Sequence, residues 1–513
     1  MEKSQKKTKS QSNYDSYMES ILDEIHLTPE EFENEIGMSV EEFEKEVGLS
    51  VEDIVEEVGL FEKSKKDLDK NNDEIKDSAE DKEKDQSELD KKRHNIVYLK
   101  KRFDDVMKLN PPEEGEPNTS VRDFLKDFER EVDSEEDTDP IEEVTIAVAG
   151  EIGPAKSLIP VIKKIKELGE KGKLNWKKTK FIGLYHGEEA KKLFEPYCDI
   201  LYSIGQGRRS NQSKNKGFNL FKLIFKDIFK ATRAMMGEEI DLLVTCGNAG
   251  DVRKAIIGAK LLRTPVLHIE QDIYNPIEVI SYANLVTVPS LEYEEYLKDN
   301  YKLKNIVNIG GYPMASYVYD LISNKTLLTK EEIVKKYGFE NYILVLLGGD
   351  LKDEDLPELV SIIESLRYPT LIAPYRFNKK VVEKLTNASY IKVLDNDVDM
   401  ISLANFSNVL IYGAGMGMTI EAGVLKVPSI KIYGFHLFHS SINLAKELEI
   451  PVVDKISIPD VLKYLNPPKG NIIRDGQISV NNIVYIINNF DYSLKKGNFI
   501  SLFKIWRARS KFR

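Results

Sequence analysis

The chain has 513 residues, 41% of them hydrophobic, and a formal net charge of -12 at pH 7. That length exceeds a single domain several-fold, and the acidic balance excludes a general nucleic-acid binder, which needs clustered cations against a phosphate backbone. Two cysteines, Cys198 and Cys246, are too few for a disulfide framework and are expected as buried thiols in a reducing compartment.

The N-terminus, MEKSQKKTKSQSNYDSYMES, has no apolar core of the kind a signal peptide needs. No later run approaches the roughly 20 apolar residues of a membrane span, so a cytoplasmic location is expected. Residues 1–61 contain a repeat of period eleven: LTPEEFENEIG, MSVEEFEKEVG and LSVEDIVEEVG, starting at Leu27, Met38 and Leu49. Each copy opens with Thr or Ser followed three residues later by an acid, the pattern that caps a helix N-terminus. Each closes on Gly37, Gly48 or Gly59, where a left-handed cap is easily adopted. Short helices with Phe32, Phe43 and Ile54 on one side are expected, and docking to a protein partner is the preferred role.

Residues 62–140 are dominated by Lys, Asp, Glu, Ser and Asn and cannot bury enough apolar surface to offset the entropy of ordering. They read as a charged, disordered linker. Within it, KDLDKNNDEIKDSAEDKEKDQSELDKKR is expected as a solvated charged helix, the candidate coiled coil.

At Val144 the texture changes. VTIAVAG is a continuous apolar run ending in glycine, followed by the helical pattern SLIPVIKKIKELGEKG, which is a buried parallel strand feeding a helix. KFIGLYHG, DLLVTCGNAG, PVLHIEQD, LVTVPS and IVNIGG continue the alternation to residue 312. A second series runs over 313–492: YILVLLGGD, TLIAPY, YIKVLD, NVLIYGAG, PSIKIYG and PVVD, with helices between. The fold class expected is α/β: two Rossmann-like, doubly wound parallel-sheet domains facing a cleft behind an acidic extension. Residues 493–513 form a basic amphipathic end with Lys495, Lys496, Lys504, Arg507, Arg509, Lys511 and Arg513 and no carboxylate side chain.

In such sheets ligands bind outside the carboxyl ends of the strands, where helix N-termini offer free N–H groups. In YGAGMGMTIEAGVLKVPSI, Gly413, Gly415 and Gly417 would let a diphosphate approach a helix starting near Met418. Glu421, one turn in, would accept the ribose hydroxyls. This segment is similar to the nucleotide-sugar loop of the GT-B superfamily, specifically of MurG-like glycosyltransferases and non-hydrolysing UDP-N-acetylglucosamine 2-epimerases. DLLVTCGNAGDVRKAIIGAKLLRTPVLHIEQD, NIGGYPM and VLLGGD resemble further stretches of those families in the same order, so the likeness covers roughly Val144 to Val453. It implies donor binding by Gly349, Gly415, Gly417, Met418, Thr419 and Glu421, with Gly150 and Asn248 on the loops of the first domain.

Departures from the pattern separate the relatives. AGEIGPAKSLIP matches the epimerase spacing G-x-R-P-E-x-x-K-x-x-P but has Ile152 where the arginine belongs. The epimerase sequence H-R-R-E-N is replaced by LGGDLKDEDL, and MurG's G-G-T-G-G-H loop is absent. The expected activity is therefore transfer of a sugar from a nucleotide-sugar, as a UDP-sugar, to an acceptor that the sequence does not identify. A 2-epimerase and a catalytically silent GT-B scaffold are the rivals.

A transferase of this kind needs a general base and groups that stabilise the departing diphosphate. Glu270 is the first choice of base, its alternative role being a capping or ion-paired carboxylate. Glu151 and Asp251 are the other candidates, Asp251 being preferred as a helix N-cap. His268 either orients a neighbour or is a satisfied core histidine. Arg376 would neutralise diphosphate or lie on the surface. No metal-ligand cluster is evident, His436 and His439 being a poor pair on their own, and no cofactor is expected. GFNLFKLIFKDIFKATR and ISLFKIWRARSKFR admit two readings, a peripheral membrane contact that would suit a lipid-linked acceptor, or phenylalanine stripes of core helices.

Overall fold

A computed structural model describes residues 141–490 apart from 206–217, 248, 272–282, 302, 304, 349–350, 376, 396–397, 414 and 434–439. The eleven-residue repeats, the charged linker and the basic C-terminal segment lie outside the described residues.

The first series of strands is β1 (Ile141–Gly150), β2 (Trp176–Tyr185), β3 (Ile200–Ser203), β4 (Leu242–Cys246), β5 (Val266–Ile269), β6 (Leu285–Val288) and β7 (Ile306–Asn308). They pair in parallel in the order β3-β2-β1-β4-β5-β6-β7. Helices α1 (Ile152–Glu170), α2 (Glu188–Phe194), α3 (Phe218–Gly237), α4 (Ala249–Leu261) and α5 (Leu291–Tyr301) follow β1 to β4 and β6. Apolar side chains alternate between two faces, as the period of two requires. Ile146, Val148, Val244 and Cys246 meet α1, whereas Ala147, Ala149, Leu184 and Leu243 meet α3 and α4. Strand β3, four residues at the sheet edge, was not legible in the sequence, because CDILYS carries too short an apolar run to stand out.

The second series begins with α6 (Pro313–Ser323) and α7 (Lys330–Tyr337) and continues β8 (Ile343–Leu346), α8 (Leu356–Ser365), β9 (Thr370–Ala373), α9 (Lys379–Glu383), β10 (Ile391–Val393), α10 (Met400–Phe406), β11 (Val409–Tyr412) and α11 (Met416–Leu425). It ends with β12 (Ser429–Ile432), α12 (Ser440–Glu447), β13 (Val452–Val453), α13 (Ile458–Val461) and α14 (Ile472–Asn488). The six-stranded order β10-β9-β8-β11-β12-β13 repeats the first six positions of the seven-stranded sheet, without a counterpart of β7, and is again all parallel. Local signals agree with it: α7 starts on a capping box of Thr329 and Glu332 and stops at Gly338 in the left-handed conformation.

The final helix joins the halves. Ile472 of α14 packs in the second core, whereas Val480, Ile483, Val484, Ile486 and Ile487 pack with Val148 and Val244 of the first. In the phenylalanine-rich α3, Phe229 is fully buried, a core residue; the side chains of Phe218, Phe221 and Phe225 lie outside the described residues. Among the described residues, no helix is long and apolar enough to cross a membrane.

Candidate active site between the two sheets

Strand order reverses between β1 and β4 in one sheet and between β8 and β11 in the other, and crevices open at the carboxyl ends of such switch points. The alternation of β1, β2, β4 and β5 then decides which side chains stand there. Continuing two residues beyond Ala149, Leu184 and Val266, which meet α3 and α4, gives Glu151, His186 and His268, and two more gives Glu270. Thr245 follows Leu243 in the same way. Five polar side chains thus end up on one face of one sheet edge, although they come from four strands.

Two histidine–carboxylate pairs result. Nε2 of His268 lies 3.5 Å from Oε2 of Glu270, both side chains being sealed from solvent. On its other side, Nδ1 of His268 is 2.8 Å from the hydroxyl of Thr245, its register neighbour on β4. Oε1 of Glu270 accepts the backbone N–H of Gln271 at 2.8 Å, and the Gln271 amide in turn donates to the Ser157 hydroxyl of α1. The second pair is Nδ1 of His186 and Oε1 of Glu151, also 3.5 Å apart, with the Glu151 side chain 18% exposed and so reachable. Carboxylates are buried to this degree only when charges and dipoles compensate the lost hydration. The preferred base, Glu270, is therefore closed off, while the second candidate, Glu151, stands open.

The first loop is drawn onto β4 by Gly247. Its φ is 98°, and a Cβ there would fall 2.1 Å from Cγ of Pro154. Only a residue lacking that carbon lets Pro154 close over the strand end and hold Glu151 and Ile152 at the start of α1. Gly150 ends β1 beside them.

On the opposing domain α11 starts at Met416, two residues earlier than the glycine pattern suggests, which makes Gly415 the N-cap and puts Gly417 in the first turn. Gly413 lies just past β11, where a Cβ would meet Leu351 at 2.8 Å. Met418 and Thr419 turn inward. Met418 joins the apolar core, and the Thr419 hydroxyl is 3.2 Å from the Tyr412 hydroxyl. Glu421 faces the first domain. Its Oε1 accepts from Nζ of Lys156 on α1 at 2.6 Å, and its side chain is 4% exposed. Tyr317 of α6 stands near, its hydroxyl pushed up to about 12 by burial first and then by Tyr197, Glu421 and Asp399.

Sequence reasoning passed over Lys156, because the epimerase-type spacing of the first loop places its lysine one position later, at Ser157. It also missed a cavity of about 410 Å³ farther along the domain boundary, lined by Glu292, Glu295, Tyr312, Glu447 and Asp475 among others. Desolvation, then the charges of Glu292 and Asp475, push Glu447 up to about 7. Desolvation raises Asp475 to about 6 against the pull of Arg474. Asn248, Gly349, Arg376, His436 and His439 lie outside the described residues, as does the side chain of Asp251 within α4. Among the described residues, no group of three His, Cys, Asp or Glu is placed to hold a metal ion.

This architecture has solved counterparts. The UDP-GlcNAc 2-epimerase of Methanocaldococcus jannaschii, solved with UDP-GlcNAc and UDP, superposes with a TM-score of 0.52 at 16% identity, over 67% of this chain and 99% of that one. That of Neisseria meningitidis, bound to UDP-GlcNAc, gives 0.53 at 12% identity, over 67% of this chain and all of that one (100%). That of Rickettsia bellii gives 0.51 at 13%, over 68% and 97%. The fold is GT-B. No protein-family model and no curated protein matches the sequence. Within the GT-B frame, Glu421 belongs to the second domain and the two histidine–carboxylate pairs to the first, and Lys156 joins Glu421 to the helix that Glu151 caps.

Proposed function

We propose that this GT-B protein is an enzyme acting on a UDP-sugar, with the nucleotide on α11 and the sugar directed towards the first domain. The observation that carries this reading is the Glu421–Lys156 contact. A carboxylate behind a glycine-opened helix start, held across the cleft by a cation, has the acceptor oxygens for two ribose hydroxyls and stands beside a positive charge suited to diphosphate. The solved counterparts support the same ligand class, since two of them carry UDP-GlcNAc.

The reaction proposed is transfer of the sugar to an acceptor held by the first domain. Glu151 takes the acceptor proton at the open edge, and the Glu270–His268 pair sets the charge behind it. Ile152 supports transfer over epimerisation, because a hydrocarbon stands where the epimerase pattern has an arginine. Epimerisation at the sugar is the second reading, favoured by the full-length superposition on epimerases.

Calorimetric titration with UDP and UDP-GlcNAc tests the donor. Binding of either at micromolar concentration supports it, and heat from neither removes it. Incubation with UDP-GlcNAc alone separates the two reactions, since an isomer formed without acceptor identifies an epimerase.

A further inference from the structure

Behind His186 lies a line of buried charge that the reaction above does not use. Lys254 of α4 places Nζ 2.9 Å from Nε2 of His186 and also donates to Oδ2 of Asp227 on α3. All three residues are buried. Asp227 and Lys254 come from helices, His186 from the end of β2 and Glu151 from the end of β1, so no local pattern in the sequence brings them together.

The junction is closed by a glycine. Gly205, just past β3, has φ 148°, and a Cβ there would stand 2.5 Å from Oδ2 of Asp227 and 2.6 Å from Nε2 of His186. Any other residue at 205 would push into the contact.

We propose that Asp227, Lys254 and His186 form a relay that fixes the His186 ring proton on Nδ1, facing Glu151, and so positions Glu151 for proton transfer. A lysine ammonium has donors and no acceptor. As an ammonium donating to the Asp227 carboxylate, it requires that the Nε2 it meets offer its lone pair. The single proton of the neutral ring then sits on Nδ1. That atom is buried, has no hydrogen-bond partner among the described residues and lies 3.5 Å from Oε1 of Glu151. A small rotation of either side chain turns this approach into a hydrogen bond that orients the carboxylate. These residues act through Glu151 and are positioning residues; the same logic governs the outer partners of ligating histidines.

The inference rests on the reading of Glu151 as the acid–base group, but its central claim can be tested without substrate. Full-length protein labelled with 15N-histidine is studied by long-range proton–nitrogen correlation, with the His186 signal assigned by its loss in His186→Asn. The expected result is an Nδ1–H tautomer that switches to Nε2–H in Lys254→Met and is perturbed in Gly205→Ala. An Nε2–H ring in the parent protein, or a tautomer unmoved in Lys254→Met, overturns the relay. Turnover of UDP-GlcNAc then tests positioning. His186→Asn keeps an N–H near the Nδ1 position and is expected to retain activity within about threefold, whereas His186→Gln, with its amide near the Nε2 position, loses roughly 10- to 100-fold. Equal losses in both variants overturn the positioning role. Absence of UDP and UDP-GlcNAc binding by the parent would speak against the proposed function while leaving the tautomer result to decide the relay.

Discussion

Lys156 and Glu421 meet at 2.6 Å although 265 positions separate them in the chain, and they tie the first helix of one sheet to α11 of the other. The Glu421 side chain is 4% exposed and that of Lys156 17%, so losing the lysine would leave a nearly buried carboxylate without its cation, which is the costly way to break such a pair. Replacing Glu421 by Ala is expected to weaken UDP binding roughly 10- to 100-fold, the loss of ~1.5–3 kcal/mol for a hydrogen bond to a charged acceptor. Glu421→Gln, which keeps an acceptor for the ribose, should fall between. Calorimetry reads both, and parental affinity in Glu421→Ala would falsify the donor assignment.

The two carboxylates of the first domain should separate by readout. Glu151→Gln is expected to lower turnover about 10²- to 10⁴-fold, the usual share of a general base, with UDP affinity unchanged, because the proposal assigns the nucleotide to Glu421 and α11 and not to this group. Glu270→Gln should also cut turnover at preserved UDP affinity, since it removes the charge that His268 and the backbone of Gln271 surround. Parental rates in Glu151→Gln would return the base assignment to Glu270.

The acidic cavity gives stability a pH dependence. With its folded value raised to about 7, Glu447 binds a proton more tightly folded than unfolded. Its effect is thus absent below the unfolded carboxylate range near pH 4.5, and it costs stability progressively as pH rises through that window to 7. Glu447→Gln should therefore stabilise the protein at pH 7.5 by roughly 1 kcal/mol, a value discounted for solvent screening at the open side of the cavity, and should do nothing at about pH 3.5, a unit below the unfolded value. Thermal melts at both pH values check this, and an equal shift at both would remove the charge explanation.

Both thiols should be inert in the folded protein. Burial pushes Cys198 up to about 12 and raises Cys246 still further, against a weak opposing contact from Ser157. Since the thiolate is the reactive form, alkylation at pH 7.5 is expected to proceed only after addition of denaturant. Labelling of either cysteine in native buffer, located by mass spectrometry, would contradict the buried environments described for them.

The sequence by itself determined the two tandem series of parallel strands, because apolar runs closed by glycine, Pro or Asp and followed by helical periodicity are local signals. It also placed Glu421 behind a glycine-opened helix and Glu151 and Glu270 just past strands, since those positions depend only on neighbours in the chain. What it left out was partnership. Lys156 reads as one more helical lysine until the second domain brings Glu421 to it, and His186, Lys254 and Asp227 sit in three segments whose proximity exists only once β1, β2, α3 and α4 have packed. The order of preference between Glu270 and Glu151 turned on burial, which no residue carries in its own identity. A side chain's chemistry is written in its type, but its charge state, its proton and its reach are set by atoms that arrive from elsewhere in the chain.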